Sequence, residues 1–521
     1  METFDGKKVG IQSYPKVEIN FSPEMPILRK IEDKTKINIR YTLIAPFAFA
    51  HIYWDNKISE VIYEVEEPPL NRKEEEYKEE LISAMENMIN FDTIIEKDIN
   101  VLLEYIDRMF RILVIELGFD ISYESFKKVY YYLARNFVGF NDVEPLLRDY
   151  YVEDIECNGA NTPIYIVHRM YRNMKTNVIF NDPEKLASFV EKLAQRVGKY
   201  ISYATPILDG SLPDGSRVNA TYTKDITSRG PTFTIRKFTK EPWTPPQLIS
   251  FNTLSPEMLA YLWLLIQYKM NILIIGGTSS GKTTLLNAIA FFIPPEARVV
   301  SIEDTRELNL PRENWLPSVA RTATGVGGVG EIDLFALLRS SFRQNPDYVI
   351  VGEVRGQEAF VLFQGMASGH SSLSTMHADS VDTVIKRLET PPIELSPSLI
   401  NVLDCVVVMT HAVVKKQETR KLKEIVEIIN VTPEGVALTN TPFTWNPIDD
   451  SFYFKRNSKI FEKISRTTGM RMEEIELEFR RRISLLYTMY QKKIFDFEKV
   501  GEIINEYYKK PEQVLKEFGI Q

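Results

Sequence analysis

Cysteine is nearly missing from this chain. Cys157 and Cys405 are the only two in 521 residues and lie far apart. That argues against a disulfide framework or a four-cysteine zinc site, and it fits a reducing cytoplasm. Long clean apolar runs are missing as well. The best candidate, residues 258–275, is interrupted by Gln267, Lys269 and Asn271. It reads better as a helix over 256–268 running into a strand than as a bilayer span. Any membrane contact is therefore expected to be peripheral or through a partner. The opening METFDGKKVG has no apolar core, so no secretory leader is expected. An excess of positive charge is absent too. The net charge of −8 disfavours a chain that binds nucleic acid over its whole surface. Internal repeats and low-complexity tracts are also absent.

What remains is ordinary for a globular protein: 44% hydrophobic and 26% charged residues, with length for two to four domains. Residues 1–30, with Pro15, Pro23 and Pro26, read as a flexible tail. Residues 31–150 read as strands (36–65) followed by helices, with the charged run Lys73–Glu80 as a solvated helix face. Residues 151–238 form a second α/β stretch, with strands in DIECNG, PIYIVHR, SRVNATY and TFTIRKF and a helix over 183–197. The proline-rich residues 239–249 make a linker. Over 250–415, strands at 272–275, 298–302, 348–352, 372–376 and 404–409 alternate with helices, which implies a mostly parallel sheet with helical cover. Residues 416–521 hold two or three strands and then helices.

The chain is organised around MNILIIGGTSSGKTT (270–284). An apolar strand meets Gly276-Gly277-Thr278-Ser279-Ser280-Gly281-Lys282-Thr283-Thr284, the P-loop spacing G-x-x-x-x-G-K-[ST]. Glycines let the backbone curl, and the loop amides and the first turn of the following helix then face phosphate oxygens. Lys282 supplies a point charge for the β- and γ-phosphates. The Thr283 hydroxyl is a hard oxygen ligand for Mg²⁺. An ordinary glycine turn is the plainer alternative, and the strand before and helix after weigh against it.

Four further stretches carry chemistry. In VVSIEDTR (299–306), a strand ends at Glu303, placing a carboxylate where it can orient or deprotonate water; a surface acidic loop is the alternative. In PDYVIVGE (346–353), the strand ends in Glu353, a Walker B arrangement that anchors Mg²⁺, through water given the longer side chain; a strand-end acid facing solvent is the alternative. In GHSSLSTMH (369–377), His370 and His377 are candidate sensors of the terminal phosphate; incidental histidines, or a metal site short of a third ligand, are the alternatives. ATGVGGVG (323–330) reads as a mobile loop that orders when subunits meet.

Together these stretches resemble the ATPases of the type II/type IV secretion and pilus superfamily, in which the Walker A motif is followed by an aspartate box (SIEDTRE, 301–307), an atypical Walker B (347–356) and a histidine box (367–378). The resemblance covers about residues 150–415 and includes ILDGSLPDGSRVNATY and TFTIRKF. It implies an α/β fold: a RecA-like P-loop NTPase domain preceded by a smaller α/β, PAS-like domain with a helical extension, and followed by C-terminal helices. It implies a hexameric ring binding ATP and Mg²⁺, with Lys282 and Thr283 on the phosphates and metal, Glu303 on the catalytic water, Glu353 beside Mg²⁺, and His370 and His377 coupling hydrolysis to motion. Arginines outside the core reach the nucleotide in this family; Arg217, Arg229 and Arg236 are the matching positions, with Arg217 and Arg236 preferred. The four-cysteine insertion of bacterial type II secretion ATPases is missing. The long N-terminal extension and helical C-terminus most resemble the archaellum motor ATPase, with archaeal pilus-assembly ATPases similar in the core. That implies a polytopic membrane platform protein, a RecA-like nucleotide-binding partner and a scaffold ring as partners, at the inner face of the cell membrane. A DNA-transfer ATPase or helicase would need a basic channel, which the net charge disfavours, and no nucleic acid is expected. A nucleotide-gated scaffold without turnover is disfavoured by the full set of carboxylates.

Overall fold

The computed structural model describes residues 3–4, 7–8, 14–26, 28, 31, 33–88, 99–321, 330–414 and 417–520. These divide into two units, Met1–Phe238 and Thr239–Gln521. Of the glycine-rich stretch, residues 323–329 lie outside the described residues.

In the first unit, β1 (Thr3–Phe4) and β2 (Lys7–Lys8) form a two-stranded antiparallel sheet. The main sheet has nine strands: β3 (Asn38–Ile44), β4 (Ala48–Asp55), β5 (Glu60–Glu66), β6 (Val152–Cys157), β7 (Pro163–His168), β8 (Arg172–Ile179), β9 (Ile207–Ser211), β10 (Arg217–Thr221) and β11 (Thr232–Arg236). Their order is β3-β4-β5-β8-β7-β6-β11-β10-β9, with β5 and β8 the parallel pair. One sheet thus draws strands from both the 31–150 and the 151–238 stretches. Helix Pro183–Val197 covers β9, β10 and β11. It starts where the Asp182 side chain accepts the Glu184 N–H and ends at Gly198 in the left-handed region. Its face of Leu186, Phe189, Val190 and Leu193 is buried. Helices Arg72–Met88, Ile99–Glu116 and Tyr123–Phe137 close a separate apolar core, in which Phe110 and Phe126 stack 4.5 Å apart.

The second unit also has a nine-stranded sheet: β12 (Ile272–Ile275), β13 (Val299–Glu303), β14 (Trp315–Val319), β15 (Tyr348–Val351), β16 (Ser371–Met376), β17 (Cys405–Val414), β18 (Gln417–Val431), β19 (Ala437–Asn446) and β20 (Ser451–Phe454). The order β14-β13-β15-β16-β12-β17 is parallel throughout, and β18-β19-β20 extend it as an antiparallel meander. This is the mixed α/β, mostly parallel architecture expected. β12 lies inside the sheet with all four residues buried, which is why it reads ILII rather than alternating. In helix Pro256–Gln267, every residue from Met258 to Ile266 is buried. An all-round apolar helix of this kind is a core element, and no helix among the described residues is long and apolar enough to cross a membrane.

The C-terminal helices Lys459–Thr468, Met472–Gln491, Phe497–Lys509 and Pro511–Phe518 pack into the same apolar cluster as the helix following the P-loop. Buried Glu427 of β18 accepts hydrogen bonds from the Tyr261 hydroxyl (2.6 Å), the Ser458 hydroxyl (2.5 Å) and the Lys459 amide (2.8 Å), capping the first of these helices against the sheet. Trp263 stacks on Phe292 with centroids 4.9 Å apart, and the Tyr508 hydroxyl donates to the Phe292 carbonyl at 2.6 Å.

Candidate nucleotide site

In a parallel sheet every strand delivers its carboxyl end to one edge, and neighbours lie about 4.8 Å apart. Here β12, β16, β15 and β13 are consecutive neighbours. The P-loop follows β12, His377 follows β16, Glu353 follows β15, and Glu303 ends β13. Four separate sequence stretches are therefore laid side by side by strand order alone.

The loop leaves β12 at Gly276, whose φ of +154° and close neighbours exclude a side chain: a Cβ there would sit 2.5 Å from the Met409 carbonyl oxygen. Thr278 and Ser279 form the tip. The Ser280 hydroxyl donates to the Gly277 carbonyl at 2.8 Å. Gly281 caps helix Lys282–Ala290, so Thr283 and Thr284 occupy its first turn, where free amides gather. The buried Lys282 ammonium donates to the carbonyls of Gly276 (3.0 Å) and Gly277 (2.9 Å) and lies 3.4 Å from His377 Nδ1. Burial pulls its pKa below the usual lysine value, against the pull of Glu353.

His377 bridges two groups. Its Nε2 lies 3.2 Å from Glu353 Oε1. The neutral tautomer carrying the proton on Nε2 lets Nδ1 accept from Lys282 while Nε2–H faces the carboxylate. Burial and then the Lys282 charge push its pKa below the ordinary histidine value, which favours that neutral form. Glu353 also pairs through Oε2 with Arg355. Burial alone would raise the Glu353 pKa, but the Arg355 hydrogen bond and charge outweigh it and hold the carboxylate below its ordinary range.

Glu303 is of a different kind. Its side chain is buried, and Oε1 accepts the amides of Glu307 and Leu308, both at 2.9 Å. Oε2 is buried with no hydrogen-bond partner among the described residues. Burial raises the Glu303 pKa to about 7, more than the two amide hydrogen bonds lower it. A carboxylate poised near neutrality, with one orphaned oxygen, has the properties of a general base.

Not every sequence candidate comes here. His370 precedes β16 while His377 follows it, and a six-residue strand separates them by roughly 20 Å along its axis. His370 therefore lies at the opposite edge of the sheet, its Nδ1 3.3 Å from the Gly365 carbonyl oxygen and its ring edge-on to Phe342. The expected coupling role at the phosphates does not fit this position. Arg217, Arg229 and Arg236 belong to the first unit. Arg217 and Arg236 are cross-strand neighbours on β10 and β11, with Arg217 bound bidentately by Asp209 (3.1 and 3.2 Å) and Arg236 3.8 Å from Asp154. Arg229 stands on the connecting loop, its Cβ pressed against Gly159.

Sequence reasoning missed several supports. Asn287 accepts the Asn309 amide (3.0 Å) and donates to the Glu307 carbonyl (3.2 Å), tying the P-loop helix to the turn that holds Glu303. The Thr375 hydroxyl donates to the Gly352 carbonyl at 2.7 Å, and Glu358 accepts the Arg355 and Gly356 amides at 2.6 and 2.7 Å, fixing the turn after β15. Arg355 and Thr375 lay inside motifs already singled out. Asn287 had no local signal.

The residues fit a magnesium nucleotide: an ammonium with flexible partners, a hydroxyl in the first turn, and two carboxylates of distinct character. The family model described as "Type II/IV secretion system protein" matches residues 138–440. An uncharacterized protein of Methanocaldococcus jannaschii is 35% identical over 92% of this chain and 91% of its own length. The type IV secretion system protein PtlH of Bordetella pertussis is 36% identical over 35% of this chain and 60% of its own length. The structure of the Legionella pneumophila ATPase DotB covers 70% of this chain and 94% of its own at 18% identity and a TM-score of 0.40, too low to bear on the fold.

Proposed function

Since the chain belongs to the type II/IV secretion system protein family, we propose that it is an ATP-hydrolysing motor whose turnover is driven from the edge of the parallel sheet in Thr239–Gln521. The observation that carries this is Glu303: a buried carboxylate with an orphaned oxygen and a pKa of about 7 at the end of β13, two strands from β16, which delivers His377, and three from β12, which delivers Lys282.

In this reading the P-loop amides and Lys282 hold the β- and γ-phosphates, and the ammonium exchanges its loop carbonyls for phosphate oxygens. Thr283, and Glu353 through water, would hold Mg²⁺, which neutralises charge on the phosphates when bound. Glu303 takes the proton of the attacking water at Oε2. His377, placed between Lys282 and Glu353, registers whether the ammonium is engaged by the terminal phosphate, and passes that to the turn after β15. Arg217 and Arg236 are the candidates for further positive charge on a nucleotide, with Arg229 the weaker candidate.

The assembly would be a ring, a hexamer, peripheral to the inner face of the cell membrane and acting on a polytopic platform protein. The finer reading is the archaellum motor, with a RecA-like nucleotide-binding protein and a scaffold ring as further partners. The long N-terminal extension and C-terminal helices support it. Similarity to a type IV secretion system protein favours a pilus-assembly or secretion ATPase as the second reading.

Phosphate release from MgATP tests the activity. Lys282→Ala should lower it by roughly two orders of magnitude; full activity in that variant would remove the site assignment. Deletion of the gene, scored for filaments and swimming, separates the archaellum from the other two systems.

A further inference from the structure

We infer that Arg420 is a positioning residue for nucleotide binding: from the β17–β18 hairpin it holds the P-loop in the curl that presents its amides. This rests on the nucleotide-binding reading of the loop. The Arg420 Nε–H donates to the Ser279 carbonyl at 3.0 Å. Ser279 has a φ of +57°, the left-handed region in which a residue with a Cβ is disfavoured. Lys282 and the Ser280 hydroxyl hold the carbonyls of Gly276 and Gly277 from within the loop, whereas the carbonyl of Ser279 itself is gripped from outside it, by Arg420. The stem of Arg420 also runs beside Gly281, where a Cβ would meet its Cδ at 3.4 Å.

The hairpin contributes from both strands. Arg420 of β18 lies opposite His411 of β17. Met409, two residues earlier on β17, presses its carbonyl against Gly276 and its Cε toward Gly281. β12 is flanked by β16 on one side and β17 on the other. The loop therefore has a chemical flank, with Lys282 and His377, and a buttressing flank, with Met409 and Arg420. Displacing the hairpin would release Ser279 to a commoner backbone conformation and dismantle the anion cradle. Nucleotide affinity is thereby tied to the position of a hairpin that carries none of the reacting groups.

The test is MgADP affinity by titration calorimetry on the full chain. Arg420→Met keeps the stem but removes the donor, and should weaken binding about tenfold, the scale of one strained backbone residue. Arg420→Gln places an amide N–H where Nε stands, without charge, and should bind within about threefold of the parent. Adding Ser279→Gly to Arg420→Met should restore most of the loss, because glycine adopts positive φ freely. Equal weakening in the Gln and Met variants would overturn the inference in favour of direct charge contact with nucleotide. Failure of Ser279→Gly to restore binding would overturn it in favour of a general packing role. A parent chain that does not bind MgADP defeats the nucleotide reading itself. If Arg420→Met does not fold, weakened binding by Arg420→Gln alone overturns the inference, and retained binding supports it.

Discussion

Gly352 lies directly against the side chain of Glu303: a Cβ at position 352 would come within 3.1 Å of Glu303 Cγ and 3.5 Å of its Cβ. The glycine before Glu353 thus makes room for the acidic side chain of the neighbouring strand. Gly352→Ala should displace Glu303 by a few tenths of an ångström. The expected result is a fall in kcat of about tenfold or more with MgADP affinity little changed, because misplacement of a catalytic group is felt in turnover before binding. Steady-state kinetics beside calorimetry check it.

The raised Glu303 pKa gives a pH signature in both rate and stability. Turnover should rise with pH through a midpoint near 7, the pKa of the buried group. For stability, the folded state holds the Glu303 proton up to about pH 7 while the unfolded chain releases it near 4.5. Between those values the folded state binds more protons, so the contribution of this group falls as pH rises. Glu303→Gln, neutral at every pH, should abolish turnover yet be more stable than the parent at pH 8, by on the order of 2 kcal/mol, with the difference gone below about pH 4. Denaturant melts at the two pH values decide.

The two histidines should separate cleanly. His377→Ala should lower phosphate release by about tenfold to a hundredfold, the range for a group acting on the terminal phosphate. His370→Ala, which loses an edge-on contact with Phe342 at 4.9 Å, should cost on the order of 1 kcal/mol of stability and leave the rate constants within about twofold.

Arg217→Ala and Arg236→Ala should each depress turnover by about a hundredfold or more while MgADP binding persists. Both side chains are held by carboxylates, Asp209 and Asp154. Asp209→Asn should therefore affect Arg217 without removing its charge, with a smaller loss than Arg217→Ala in the same assay.

The sequence reported the strand–loop–helix around Lys282 almost residue for residue, because a buried parallel strand, a glycine pair and a capped helix each leave a local mark. The acids at the ends of β13 and β15 were legible for the same reason. Where strands carry mixed faces the signal failed. β8, RNMKTNVI, buries only Met174 and Thr176 and was not expected; β14, WLPSV, holds a proline at the sheet edge; β9, ILDGS, contains a glycine. β17 and β18 run on as a longer hairpin than their apolar cores marked. His370 and His377 looked equivalent because spacing gives separation along the chain, whereas a six-residue strand between them fixes opposite edges. Asn287 and Arg420 act through contacts made 20 and 141 residues away in sequence, which no local pattern encodes.

The Trp263–Phe292–Tyr508 seam sets how this chain can be dissected. Phe292 lies just past helix Lys282–Ala290, and the hydroxyl that caps its carbonyl belongs to Tyr508, 216 residues further along the chain. The final helices are foundations of the catalytic half, not an appendage to it. A fragment meant to bind nucleotide on its own has to begin near Thr239 and keep the final helices; trimming it at the end of the meander would leave an aromatic wall facing water.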